Sequence, residues 1–191
     1  MSGAEAESCW LAHHWLDASS RLVVAEALDA VYAKTASEIA RRGPACWASG
    51  RCCNFERTGH RLYVTGVETA YAIVRAEAAG LGAEDGRARD ACAAVVSLEQ
   101  IDTARARGGC PFQRGNLCGI HTVKPLGCRV YFCDRSAQQW QQDLSERMLS
   151  ELRALHDEHQ IEYRYGEWRE MLGYFAVEGE PGDRRGGGGD A

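Results

Sequence analysis

The segment 110–133 constrains the fold of this chain more than any other. It reads CPFQRGNLCGIHTVKPLGCRVYFC and contains four of the nine cysteines. Glycines and prolines separate these cysteines, and both residue types favour the sharp turns that bring several side chains to one point. A regular helix or strand does not carry so many turn-forming residues. The segment therefore predicts an irregular region in which its cysteines converge.

A second turn-rich segment, PACWASGRCCNF at residues 44–55, contributes three more cysteines. Thiolates are soft donors that suit zinc and iron–sulfur clusters, whereas magnesium and calcium prefer oxygen. Four cysteines complete one tetrahedral zinc site or one cubane cluster, so seven exceed one site and fall one short of two. We therefore predict a site for zinc or iron, with an iron–sulfur cluster as an alternative. Its predicted ligands are Cys46, Cys52, Cys53, Cys110, Cys118, Cys128 and Cys133.

A disulfide framework and incidental burial are the alternatives to metal binding for these cysteines. A disulfide framework is disfavoured because nine is an odd number, the chain is long for a disulfide scaffold, and no secretory signal opens it. Incidental burial accounts for Cys92 in its apolar run, and also for Cys9. It accounts badly for Cys52 and Cys53, because charged and polar residues surround this pair.

The sequence leaves alternatives for the full ligand set of the predicted site. His121 follows Cys118 in a Cys-x-x-His arrangement and is the natural eighth ligand, but an aromatic packing position accounts for it too. Adjacent Cys52 and Cys53 either chelate one metal or point to separate sites. Because closing a loop of some fifty residues costs about a few kcal/mol and zinc binding supplies roughly ten or more, we predict that both segments contribute to one composite centre.

The two cysteine segments resemble the YkgJ-type cysteine-cluster family, which is described as a zinc- or iron-chelating domain or an iron–sulfur protein. The resemblance covers residues 44–135. It departs from the family pattern at Ser49, where a cysteine is usual, and at Lys124, where an arginine is usual. It implies a metal-binding fold and no particular reaction. The matching residues are Cys46, Cys52, Cys53, Cys110, Pro111, Cys118, Ile120, His121, Pro125, Cys128, Arg129 and Cys133.

The composition and motifs of the chain argue against several other classes of function. The net charge of −5, with acidic and basic residues interspersed, argues against a nucleic-acid binder. No run is apolar enough to span a bilayer, so we expect a cytoplasmic protein without a membrane partner. No Ser-His-Asp set, phosphate loop or dinucleotide motif is present. An iron- or cluster-dependent enzyme and a metal-handling adaptor remain alternatives to a metal-binding protein, and no protein partner is indicated.

Hydrophobic periodicity predicts a mainly α fold: one small helical domain over residues 1–177 with an irregular, cysteine-rich, metal-organised core and little β structure. Residues 178–191 are rich in glycine and charge and are expected to be disordered. The predicted helices are a short one within 1–18, then 20–42, 65–80, 89–107 with a break at Ser97, 136–159 and 167–172. The apolar side of the first helix is expected to contain Trp10, Leu11, His14 and Trp15. The predicted strands are 61–64 and 161–165.

Three capping boxes support these helix starts: Thr65 with Glu68, Ser97 with Gln100, and Ser136 with Gln139. Gly43–Pro44 is expected to end the helix that leads into the first cysteine segment. His156 and His159 share one helix face, where a metal site and an ordinary solvated face are both possible interpretations.

Overall fold

A computed structural model of the protein describes residues 3–81 and 96–176. Within these residues the chain is mainly helical, with 64% helix and 7% strand, as the sequence predicts. The predicted tail, the segment containing Cys92, and the first part of the predicted helix 89–107 lie outside the described residues. The extent of the single domain stays a prediction.

The described residues form eight α-helices and four short strands. The helices are α1 (Gly3–Ser20), α2 (Leu22–Arg42), α3 (Phe55–Thr58), α4 (Gly66–Ala78), α5 (Leu98–Ala106), α6 (Leu126–Arg129), α7 (Gln138–Glu158) and α8 (Trp168–Gly173). The strands are β1 (Tyr63–Thr65), β2 (Gln113–Arg114), β3 (Leu117–Cys118) and β4 (Tyr165–Glu167). Two 3-10 turns cover Arg51–Cys53 and Arg135–Ala137.

The hydrophobic core lies between α1, α2, α4, α7 and α8. Helix α1 packs on α4, and α2 packs on α7 and α6. Trp15 is fully buried in this core, and its indole N–H donates to the carbonyl of Glu162 at 2.8 Å. The predicted inward face of α7 is confirmed, because all four of its residues are buried. These are Leu144, Met148, Leu152 and Leu155.

Two of the three predicted capping boxes are confirmed. Both hydrogen bonds of the box form at Thr65, which begins α4, and at Ser97, which begins α5. The box at Ser136 is wrong: α7 begins after Ala137 without a side-chain cap. The Asp134 carboxylate instead accepts the Ser136 N–H and caps the preceding 3-10 turn. Asp134, two positions before Ser136, is therefore the capping residue here instead of the expected serine.

The boundary between α2 and the first cysteine segment is as predicted. Gly43 adopts a left-handed conformation (φ 62°), and its N–H donates to the carbonyl of Ile39. This ends α2 and releases the chain into an irregular stretch that begins at Pro44. The single 21-residue helix therefore connects the core directly to the cysteines.

Several details of the N-terminal and C-terminal predictions need correction. The N-terminal helix covers 18 residues and is followed almost at once by α2. Leu11 and Trp15 of its predicted apolar side are buried, whereas Trp10 and Cys9, which were also expected to be buried, are exposed. Trp10 stacks on His14 with ring centroids 5.1 Å apart. The two predicted strands exist but lie slightly further along the chain, as β1 and β4, which pair antiparallel. No helix in the described ranges is long and apolar enough to cross a membrane.

Candidate metal centre

The two cysteine-rich segments lie side by side. The Cys110 N–H donates to the carbonyl of Cys53 at 2.9 Å, although more than fifty residues separate them in sequence. Cys52 and Cys53 belong to the 3-10 turn, whereas Cys118 ends the short hairpin of β2 and β3. The chain therefore brings thiols of both segments to one region through backbone pairing, as the irregular composition of both segments predicts.

Cys53 lies at the middle of this thiol cluster. Its sulfur lies 4.0 Å from that of Cys52, and the thiols of Cys110 and Cys118 lie close enough to raise its pKa. Cys53 and Cys110 are buried, whereas Cys52 and Cys118 are half-buried. We call Cys52, Cys53, Cys110, Cys118 and Cys128 the thiol cluster.

Cys128 joins the cluster from the short helix α6. Burial of its thiol raises its pKa, and the nearby Cys110 and Cys118 thiols raise it further. Gly127, just before it, lies so close to its neighbours that an added Cβ would be 2.4 Å from the Leu62 side chain and 3.1 Å from the Tyr63 carbonyl. Only glycine therefore allows α6 to approach β1 this closely and hold Cys128 near the other thiols.

The interactions among the thiols shift their pKa values in opposite directions. Hydrogen bonding from Cys53 lowers the pKa of Cys52 to about 6 and that of Cys118 to about 7. The same contacts, with Cys110 foremost, raise the pKa of Cys53 itself. The charge of Lys124 lowers the pKa of Cys52 and Cys118 further. Cys52 and Cys118 are therefore the thiols of the cluster whose pKa values fall below the ordinary thiol value.

The other basic residues near the cysteines have different partners. The Arg129 guanidinium lies 4.1 Å above the centre of the Tyr32 ring and donates to the carbonyl of Thr122. His121 is exposed, and its Nε2 lies 3.2 Å from the Lys124 ammonium. The structure thus places His121 beside the cation of Lys124. Its role as a ligand stays a prediction.

The two remaining candidate ligands lie apart from these contacts. The sulfur of Cys133 is 3.2 Å from the Ser49 hydroxyl, and Cys46 is exposed. The Ala45 N–H reaches the Asp134 carboxylate at 3.4 Å, so the Cys46 loop runs next to Cys133. Ser49, where the resembled family has a cysteine, is therefore a polar partner of the last predicted ligand.

The cysteines are free thiols whose contacts do not form a preset metal cage. All eight cysteines in the described ranges lack a disulfide. In those ranges, no three histidine, cysteine, aspartate or glutamate side chains are arranged so that they could hold a metal ion as they stand. Ligation by Cys46, Cys52, Cys53, Cys110, Cys118, Cys128 and Cys133 therefore stays a prediction.

Histidines elsewhere in the chain have other roles. His156 is buried, and its Nδ1–H donates to the carbonyl of Ile161 at 3.2 Å. This bond joins the end of α7 to the following loop. His14 accepts the Glu162 N–H on its Nε2 at 3.0 Å. Both contacts support packing and favour the structural interpretation of His156 over metal binding with His159.

One residue important for the site was predicted only as part of a helix cap. Glu68 is fully buried, and its Oε1 accepts hydrogen bonds from the Leu126 N–H at 2.8 Å and the Tyr32 hydroxyl at 3.2 Å. Its Oε2 accepts from the N–H and hydroxyl of Thr65. Glu68 thus anchors the start of α6, the helix that carries Cys128. In the sequence, only its apolar surroundings indicate burial.

The comparison with known proteins identifies no relative of this chain. No protein family, no curated protein and no solved structure shows a significant match to this chain. The resemblance to the YkgJ-type family accordingly stays a prediction carried by the sequence pattern alone.

Proposed function

We propose that this protein binds zinc or iron, as the free ion or as an iron–sulfur cluster, through thiolates from both cysteine-rich segments. The observation that carries the proposal is the position of Cys53. Its sulfur lies 4.0 Å from that of Cys52 in its own segment, and its carbonyl accepts the N–H of Cys110 in the other. The Cys110 and Cys118 thiols lie close enough to raise the pKa of Cys53. Four neighbouring thiols are the donor set of a structural zinc site or a cubane cluster.

The spacing of one thiol pair, Cys52 and Cys53, is close to that of two ligands on one metal. A tetrahedral zinc with zinc–sulfur bonds of about 2.3 Å places its sulfur atoms about 3.8 Å apart. The observed 4.0 Å between the Cys52 and Cys53 sulfurs is close to that value, so small side-chain rotations suffice for ligation at this pair. Cys128, held near Cys110 and Cys118, supplies a further thiol to the same region.

The surroundings of the cluster also suit a bound metal. A centre with four thiolates carries excess negative charge, which nearby cations and N–H donors offset. Lys124 provides such a cation beside Cys52 and Cys118. Burial of Cys53 and Cys110 limits the access of water to the inner half of the cluster. These features support a structural or redox centre with a partly open outer side.

Metal handling is a second candidate, favoured by the exposure of Cys46. An exposed thiol in the same cysteine-rich segment as Cys52 and Cys53 offers a partner protein a first ligand for metal exchange. The two candidates differ in lability: a structural centre resists a weak chelator, whereas a handled metal is removed by it. An anaerobic sample that is brown and absorbs visible light would identify an iron–sulfur cluster.

The direct test is elemental analysis of anaerobically purified protein. We expect about one or two equivalents of zinc or iron per chain. Cys118→Ser removes a thiol that contacts Cys53 and should lose most of this metal. Cys9→Ser is the matched control, because Cys9 is exposed on α1 and should leave the metal content unchanged. Folded wild-type protein without either metal, and with all thiols freely titratable, would contradict the proposal.

A further inference from the structure

Two polar cavities lie next to Cys133 and Ser49, outside the thiol cluster. The larger, of about 440 Å³, is lined by Cys133, and the smaller, of about 370 Å³, is lined by Ser49. Both are lined by Arg51 and Thr58, and the 3.2 Å contact between Ser49 and Cys133 joins their edges. Cavities of this volume are typical of small-molecule sites.

Three arginines surround this pair of cavities. Arg51 lines both, Arg57 lines the smaller, and Arg135 lines the larger. In the part of the chain that the structure describes, none of the three forms an ion pair with a carboxylate. Positive charge is therefore concentrated and unneutralised here, in a protein whose net charge is −5. Arginines elsewhere that pair with carboxylates include Arg41, Arg75, Arg105, Arg147, Arg164 and Arg169.

The carboxylate that lines the larger cavity is already engaged. Asp134 accepts the N–H and hydroxyl of Ser136 at 2.9 and 2.6 Å, and the N–H of Ala45 at 3.4 Å. These bonds hold the carboxylate toward the Ala45 and Ser136 backbone and leave the guanidinium of Arg51 without a carboxylate partner. The side of the cavities near Arg51 and Arg57 therefore keeps its positive character.

From this arrangement we infer that the cavities bind a small anion carrying a carboxylate or phosphate group, with Arg51 as its main contact. A guanidinium presents a planar fork of donors that matches either group with two parallel hydrogen bonds. Arg57 in the smaller cavity and Arg135 in the larger add positive charge, and the side chain of Thr58 adds a polar group to the lining of both. The site needs no bound metal, so it stands independently of the proposed function.

The proposed anion site lies next to a cysteine thiol. Cys133 lines the same cavity as Arg51 and Arg135, so a bound anion lies beside a thiol that the sequence also predicts as a ligand. The site thus assigns a substrate or effector class to the chain, namely small acidic molecules. It is the carboxylate or phosphate group that the arginines recognise, and the remainder of the molecule extends along the cavity.

Isothermal titration calorimetry at low ionic strength tests this inference with two probes, inorganic phosphate and succinate. We expect saturable binding of at least one probe to wild-type protein, and the probe that binds identifies the group recognised. Arg51→Gln should weaken that binding about tenfold, because a bidentate contact is lost. Arg51 is exposed, so the variant is expected to fold.

Arg21→Gln is the matched control, because Arg21 is exposed, lies outside both cavities and changes the net charge equally. Its affinity for the bound probe should equal that of wild type. The inference is overturned if neither anion binds saturably. It is also overturned if Arg21→Gln weakens binding as much as Arg51→Gln does, since the effect is then one of net charge alone.

Discussion

The buried carboxylate of Glu68 accepts a hydrogen bond of 2.8 Å from the backbone N–H of Leu126, 58 residues further along the chain. Leu126 begins α6, and the same helix carries Cys128. One side chain thus caps α4 through Thr65 and fixes the start of a second helix at the thiol cluster. The helical body and the cysteine region are joined through this contact.

Glu68→Gln should destabilise the protein, because all four groups bonded to the carboxylate are donors. The new amide NH₂ must face either the Thr65 N–H or the Leu126 N–H, and neither backbone group can turn away. We expect a loss of about 1–3 kcal/mol in the free energy of unfolding, measured by urea denaturation. Glu77→Gln, at an exposed position of the same helix, should change it little, and equal effects of the two variants would contradict this role.

Gly127→Ala tests the close approach of α6 to β1. The new methyl group would lie 2.4 Å from the side chain of Leu62, which is itself buried and cannot move freely. Overpacking of this kind destabilises by about 1–3 kcal/mol, and the displaced helix should also move Cys128. A lower thermal unfolding midpoint is the expected readout.

Gly173→Ala serves as the control for this prediction. Gly173 ends α8, and an added Cβ there would meet nothing within 4 Å. Its stability should equal that of wild type or exceed it slightly, because alanine favours the helix. If both alanine variants unfold at the wild-type temperature, α6 and β1 do not constrain each other.

Local patterns in the sequence predicted most of the helical body. The boxes at Thr65 and Ser97 need only residues three positions apart, so they are visible without knowing the fold. The start of α7 was mispredicted because Asp134 competes with Ser136 for the same turn, and spacing alone does not rank the two. Local sequence rules therefore predict the position of a helix more accurately than the residue at which it begins.

The cysteine region was predictable in composition but not in arrangement. Turn-forming residues and cysteine spacing indicated that the two segments belong together, and the backbone bond from Cys110 to Cys53 is consistent with this. The separate contact of Cys133 with Ser49, and the pairing of His121 with Lys124, depend on how the turns are oriented. No periodicity in the sequence encodes such orientations.

Buried His156 predicts a specific pH dependence of stability. Burial lowers the pKa of this imidazole below its ordinary value, so the unfolded chain binds a proton more readily than the folded one. The stability that neutral His156 contributes is therefore full above about pH 6.5 and is lost as the pH falls through the folded-state pKa.

His156→Asn should remove this pH-dependent part while leaving a donor for the Ile161 carbonyl. The difference in unfolding free energy between wild type and variant should shrink as the pH falls from about 7 to about 5. The variant should also keep the wild-type metal content. A constant difference across this range, or loss of metal, would show that His156 does not act as a buried neutral packing residue.

The last prediction concerns whether the two cysteine-rich segments build one centre. Cys53 contacts thiols of both segments, and Cys128 lies near Cys110 and Cys118 in the second. We therefore expect Cys53→Ser to reduce metal occupancy and absorption to the same extent as Cys128→Ser, and to lower the unfolding midpoint as well. Cys9→Ser, distant on α1, should match wild type in all three measurements.

Two independent sites would behave differently from one composite centre. The first segment contains only Cys46, Cys52 and Cys53, and a separate site there needs a ligand borrowed from elsewhere. The double variant Cys53→Ser with Cys128→Ser distinguishes the two arrangements. With one shared centre, the double variant loses no more metal than either single variant, because each already destroys the same site. If each single variant instead loses one whole equivalent and the double variant loses two, the segments hold separate metals and the composite centre is wrong.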